Sequence, residues 1–277
     1  MGGKRGEMPY TVPPKAIADY QRDGVILLRQ ILSPQQVKEL QSGIDYNMAH
    51  PSPLARIASS DSDTGRFFED FCNWRRIPEY AHIAQNPDLS HIAAVLMGSV
   101  VSRLYYDHTL VKEPKTQQQT PWHQDQPYYN IDGKQTVSFW IPVDEVQADS
   151  AMEFVSGTHN GPWFMPRTFK ENKAKWFPEG SLAELPDIEK LRGEQRILSW
   201  EVRPGDAVCF NMLTLHSAKG SRGMRRAFSV RYVGDDVVYA PRRWVTSPPF
   251  YGLEKELSAG APLDHPMFPV VFRRSHV

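Results

Sequence analysis

The sequence predicts a mainly β protein, a sandwich or barrel with supporting helices on its N-terminal side. From residue 99 onward, short runs rich in β-branched and aromatic residues are separated by Pro, Gly, Asn and Asp, which is how an all-β sandwich or barrel reads. Ahead of residue 99, apolar residues recur at helical spacing behind recognisable caps, and such helices cover one face of a sandwich. No break in composition argues for a second domain. Residues 1–277 are therefore read as one domain, with a loose tail over 1–12, a β core over 99–235 and a C-terminal extension over 236–277.

Pro13-Pro14 opens a short helix with Ile17 and Tyr20 at helical spacing, and Gly24 stops it. Val25-Ile26-Leu27-Leu28 is a compact apolar strand. Ser33 before Pro34 is an N-cap with Pro at the first helical position; that helix runs to about Met48 and buries Val37, Leu40 and Ile44. Residues 51 to 75 read as polar and irregular until Phe67-Phe68-Glu69-Asp70-Phe71. A further helix is expected over about 87 to 97, capped by Asn86 and stopped by Gly98. The strands expected after it are Val100 to Val111, Thr136 to Val143, Met152 to Val155, Arg196 to Val202, Ala207 to Met212 and Ala227 to Val233. Pro204-Gly205-Asp206 supplies a tight turn. The stretch 160 to 195, carrying Trp163, Phe164 and Trp176, is a long excursion from the sheet, and such excursions are usually functional or mobile.

Lys plus Arg and Asp plus Glu each total 32, so the formal net charge is zero. Nucleic acid or an anionic membrane as partner would favour a basic surplus, and neither is expected. The segment Met1 to Glu7 is polar, no run approaches a membrane span, and Gly6 stands where a myristoylation signal needs Ser or Thr. The expected location is the cytoplasm. Cys72 and Cys209 sit among apolar neighbours and are read as free, buried thiols.

The chemistry centres on Trp122-His123-Gln124-Asp125. In an extended segment residues i and i+2 point the same way, so His123 and Asp125 can reach one point. Imidazole with carboxylate suits Fe, Zn or Mn, and two His with one carboxylate leave three positions open on octahedral iron. Alone, His-x-Asp is common, and a hydrogen-bonded core or surface histidine is the bland alternative. His216, 93 residues after His123, closes the apolar run that starts at Ala207 and completes a ligand set. Arg225 follows at the start of the next strand, where a guanidinium can grip a carboxylate with two prongs.

Further motifs are Ser138-Phe139-Trp140-Ile141-Pro142, Val155-Ser156-Gly157-Thr158-His159 and Arg225-Arg226-Ala227-Phe228-Ser229. With these, the sequence resembles the phytanoyl-CoA dioxygenase family of iron(II)/2-oxoglutarate oxygenases over roughly residues 15 to 235. The resemblance implies a double-stranded β-helix, a cupin-like jelly-roll barrel with helical support. It implies Fe(II) held by His123, Asp125 and His216, with 2-oxoglutarate and O2 as co-substrates. It also implies that Arg225 binds the distal carboxylate of 2-oxoglutarate, with Arg226 as rival; adjacent strand residues face opposite ways, so only one serves. Thr109 and Trp140 fall where the family often places co-substrate contacts. Many members carry Gly then Ser after the distal His, whereas here Ser217 comes first and Ala218 second, which questions any hydroxyl contact from that turn. The implied activity is hydroxylation or other oxidation of a small organic molecule, with 2-oxoglutarate converted to succinate and carbon dioxide. Asp125 disfavours halogenation, because chlorinating relatives carry a small residue there. The competing class is a jelly-roll metal-binding module that is an isomerase or sensor and has no need of Arg225.

Around this site, His108 is read as either structural or substrate-facing, and Tyr128 and Tyr129 as pocket or core. Arg222, Arg231 and Lys112 are read chiefly as solvated surface. Tyr105, Tyr106, Trp122, Phe139, Trp163 and Phe164 crowd the expected mouth. The apolar tail from Pro248 to Phe272 can pack on its own barrel or on a partner, which leaves a homodimer open.

Overall fold

Helix α1 (Pro14–Asp23) ends where Gly24 takes a left-handed conformation, φ 75°, and the chain passes directly into strand β1 (Val25–Leu28). The structure is a computed structural model that describes residues 10–166, 182–243 and 246–274. Most of the expected N-terminal tail and the middle of the 160–195 excursion, Trp176 included, lie outside the described residues. Helix α2 (Pro34–Ala49) begins in a full capping box: Gln36 N–H donates to the Ser33 hydroxyl, and Ser33 N–H donates to the Gln36 side chain. Strands β2 (Arg56–Ile57) and β3 (Phe67–Phe71) follow, then α3 (Pro78–Ala84) and α4 (Pro87–Met97). Asn86 caps α4 and Gly98 ends it, as expected, whereas α3 and the strand character of 67–71 went unread.

The β core continues with β4 (Val101–Lys112), β5 (Thr120–His123), β6 (Ile131–Asp132), β7 (Thr136–Pro142), β8 (Met152–Val155) and β9 (Ile197–Ser199). It closes with β10 (Ala207–Phe210), β11 (His216–Ala218), β12 (Arg225–Val233), β13 (Val238–Tyr239) and β14 (Val270–Arg273). The pairings between these strands are all antiparallel among the described residues. An eight-stranded sheet runs β1-β10-β7-β12-β4-β3-β2 with β14 also on β4, and a four-stranded sheet runs β5-β11-β8-β9. The expected fold class is what is found: two facing antiparallel sheets with the helices on one side.

One expected strand is divided. Ala207 to Met212 was read as continuing toward His216, but β10 stops at Phe210, a turn over 211–215 intervenes, and His216 opens β11 in the other sheet. Asn211 makes the crossing, its side chain accepting from Leu213 N–H and donating to the Thr136 carbonyl.

Alternation along β4 and β12, reset on β4 by a bulge between Leu104 and Tyr106, separates the two layers. Leu104, Val111, Phe228, Val230 and Tyr232 point outward into the core beneath the helices, with Leu40, Ile44, Tyr80 and Ile92. Tyr106, His108, Leu110 and Lys112, with Arg225, Ala227, Ser229 and Arg231, point inward toward the smaller sheet. The C-terminal tail packs on this same chain: Leu253, Leu263 and Phe268 are buried against Tyr105 and Val233. No helix among the described residues is long and apolar enough to cross a membrane.

Phe228→Ala removes a fully buried ring that meets Tyr80 at 4.5 Å. It should cost about 3–5 kcal/mol, against about 1 kcal/mol for Ser33→Ala at the α2 cap, both read by denaturant unfolding.

Candidate metal centre

His123 is the last residue of β5 and His216 the first of β11, and the antiparallel register sets them directly opposite each other, ring centroids 4.2 Å apart. Asp125 joins them by a turn and not by extended backbone. Its φ and ψ are −73° and −47°, and the N–H groups of Asp125 and Gln126 both donate to the Met212 carbonyl. The intervening Gln124 points elsewhere, donating to the Leu213 and Pro162 carbonyls and accepting from Phe164 N–H. It ties the start of the excursion to the site.

Asp125 Oδ1 lies 3.4 Å from His123 Nε2 and 3.6 Å from His216 Nε2, and ligand atoms of all three lie within 4.8 Å of one another. Metal–nitrogen bonds of about 2.1 Å place neighbouring ligand atoms about 3 Å apart, so these side chains need only small shifts to hold one ion. The supporting bonds fit the same task. Nδ1–H of His123 donates to the Pro121 carbonyl and Nδ1–H of His216 to the Thr214 carbonyl, since a carbonyl can only accept. Both Nε2 lone pairs are thereby presented inward. Burial, and then the neighbouring His123, push His216 down to about 3, so it is a neutral donor at ordinary pH.

Arg231 completes the centre. Its Nη2 donates to Asp125 Oδ2 at 3.0 Å, leaving Oδ1 to face the imidazoles, and its guanidinium lies 4.6 Å over the Tyr106 ring. Burial alone would raise the Asp125 carboxyl; Arg231 and the two imidazoles hold it well below the ordinary range. The expectation that Arg231 is a solvated surface residue is thus corrected, because β12 turns it inward. Lys112 is corrected likewise: it is buried, donating to the Gln118 and Lys219 carbonyls. Burial and then Arg225, its direct partner across β4 and β12, push its ammonium well below the usual range. Arg222 is exposed, as expected.

A cavity of about 470 Å³ opens from the metal-ligand set. Arg225, Trp140, Tyr128, Tyr129 and His108 all line it. Arg225 donates to the Ser150 carbonyl and has no acidic partner among the described residues, and burial lowers it to about 10. Arg226 faces away and is spent on Asp144 and Asp45. Thr109 does not reach the cavity: it lies on the outer face of β4, its hydroxyl 2.7 Å from that of Tyr80. Tyr105 and Phe139, expected at the mouth, lie in the cores outside it. After His216, the residue that lines the cavity is Ala218.

Glu69 and Arg56 join the site without having been among the residues expected there. Both line the cavity, and Arg56 Nε donates to Glu69 Oε2 at 2.9 Å. The signal was there in Phe67-x-Glu69-x-Phe71, whose alternation is that of a strand with one face inward.

The family profile Phytanoyl-CoA dioxygenase (PhyH) matches residues 20–227. Spanning most of the sequence, that match makes this chain a member of the phytanoyl-CoA dioxygenase family. Curated proteins return no sequence match. Among solved structures it is similar to SnoK, a non-heme alpha ketoglutarate dependent carbocyclase from nogalamycin biosynthesis: TM-score 0.73, 24% identity, 94% of this chain and 96% of that one covered. The epimerase SnoN from nogalamycin biosynthesis, in complex with Fe3+, alpha ketoglutarate and nogalamycin RO, gives TM-score 0.72 at 22% identity, over 93% and 97% of the two chains. EctD from S. alaskensis gives TM-score 0.63 at 19% identity, over 84% and 80%. At these identities the likeness is one of fold.

Two outcomes are expected. Arg231→Met should weaken Co(II) binding, read by anaerobic absorption titration, by about 10- to 100-fold, as losing the support of a metal ligand does. The second concerns acid stability. Burial pushes the Glu69 carboxyl up, but Arg56 and then His108 outweigh it and bring it from 4.5 to about 2. A group lowered on folding stabilises the fold above its unfolded pKa and loses that contribution as pH falls through its folded pKa. Denaturation midpoints should therefore fall between about pH 4.5 and 2 more steeply in the parent than in Glu69→Gln.

Proposed function

We propose that this chain is an Fe(II)/2-oxoglutarate-dependent oxygenase that hydroxylates or otherwise oxidises a small organic molecule. The observation that carries this is Arg225: a buried guanidinium with no acidic partner among the described residues, lining the same cavity as the converging His123, Asp125 and His216. A buried cation calls for an anion, and a jelly-roll isomerase or sensor has no use for one there. The carboxylate at 125 is present, which keeps halogenation disfavoured.

Each side chain then has a task. His123, Asp125 and His216 would hold Fe(II) on one face, with Asp125 steered by Arg231. Arg225 would grip the distal carboxylate of 2-oxoglutarate with two prongs, and that carboxylate would in turn favour the charged form of Lys112, opposite Arg225 in the register. Trp140, inward on β7, would pack along the co-substrate's methylene chain; Thr109, on the far side of β4, has no such part. When bound, the iron and 2-oxoglutarate together supply the activation of O2, with succinate and carbon dioxide released. The aromatic side chains around the cavity exclude water and hold the substrate C–H bond in place.

Full-length protein given Fe(II), ascorbate and 2-oxoglutarate should release succinate slowly without a further substrate, and His123→Ala should abolish that release. Anaerobic calorimetry should show 2-oxoglutarate binding weakened at least about 30-fold in Arg225→Leu, the scale of an unpaired buried charge. Arg226→Leu should leave it unchanged. Equal effects of the two substitutions, or no binding by the parent, would end this assignment.

A further inference from the structure

Beyond the metal centre, the inner wall of the cavity carries a second polar cluster on β2, β3 and β4 that the proposed chemistry does not use. Glu69 and His108 are 0% and 6% exposed, and both line the cavity. Glu69 Oε1 and His108 Nε2 lie 3.2 Å apart, an ion pair only when the imidazole is protonated, and among the described residues neither atom completes a hydrogen bond. Every other element of the cluster is satisfied or packed. Glu69 Oε2 accepts from Arg56, the His108 ring stacks on Phe71 at 4.1 Å, and the Arg56 guanidinium lies 4.7 Å over the ring of that same Phe71. A buried carboxylate oxygen and a buried imidazole nitrogen left unmade are costly unless a ligand completes them.

We propose that Glu69 Oε1 and His108 Nε2 form a substrate-recognition subsite for a hydroxyl group on an uncharged, ring-bearing molecule. A hydroxyl both donates and accepts, so one group can donate to the carboxylate while accepting from the imidazole N–H. Arg56 already offsets the charge on Glu69, so the site calls for a neutral donor and not for a cation. The adjoining lining is aromatic, with Phe71, Tyr106, Tyr128 and Tyr129, which suits a ring face. In register, His108 sits opposite Ser229 and the next inward residue, Tyr106, opposite Arg231, the partner of Asp125. The hydroxyl anchor is therefore a neighbour of the metal-ligand set, and a ring held there would present its remaining C–H bonds to it.

This subsite rests on the oxygenase assignment for its meaning but not for its test. Ligand-observed NMR on the full-length protein would compare 4-ethylphenol, 4-ethylanisole and ethylbenzene, with 2-oxoglutarate binding recorded on the same sample. The phenol should bind about tenfold more tightly than the other two, roughly the 1.4 kcal/mol of one hydrogen bond to a charged group. Glu69→Gln and His108→Phe, which keep shape and stacking, should each shrink that preference at least about threefold while still unfolding in a single cooperative transition. An anisole that binds as well as the phenol, or a preference that survives both substitutions, overturns the subsite. If 2-oxoglutarate fails to bind while the phenol preference and its loss in the variants persist, the oxygenase assignment falls and the subsite stands.

Discussion

The register between β5 and β11 sets His123 and His216 directly opposite each other, their rings tilted by 50°, and the candidate centre depends on that pairing. Strand side chains alternate strictly, so a slip of one residue would send one imidazole to the opposite face of the sheet. Three features oppose a slip: His216 also pairs with Phe154 on β8, both Nδ1–H groups are tied to carbonyls two residues back along the chain, and Met212 holds the Asp125 turn. The third ligand does not need a strand at all. It reaches the same point because the chain bends at Asp125.

The second constraint is electrostatic. Asp125, Glu69, Arg225, Arg231 and Lys112 are all withdrawn from water in one cavity. Charges so placed must be paired or given up. Arg231 answers Asp125, and Arg56 answers Glu69. Among the described residues, Arg225 is answered by a backbone carbonyl and Lys112 by two. The uncompensated end of the cavity is thus the end that attracts an anion, while the Glu69–His108 end is balanced in charge and lacks only hydrogen bonds. One pocket is in this way divided by chemistry into two parts of different demand, with the metal-ligand set adjoining both.

Much of this was legible before any fold was known. Caps at Ser33 and Asn86, stops at Gly24 and Gly98, and most core strands follow from local rules, and the ligand set followed from His-x-Asp together with a histidine after an apolar run. Thr109 misled because a twelve-residue strand with both faces buried shows no hydrophobic alternation, so position alone could not say which face is inward. Lys112 and Arg231 misled for the related reason that a charged residue is usually solvated. Their even spacing from His108 and from Arg225 was the available clue.

By itself the sequence determined most of the elements, their order and the residue types able to bind a metal and a dicarboxylate, because caps, turns and periodicity act over a few residues. Only the tertiary structure decided that His216 begins a strand in the second sheet, that Arg225 is left without an acidic partner among the described residues while Arg226 is paired with Asp144 and Asp45, and that Glu69 and His108 meet with unmade hydrogen bonds. Those outcomes depend on register and burial between segments far apart along the chain, and no local pattern encodes which buried charge will find a partner.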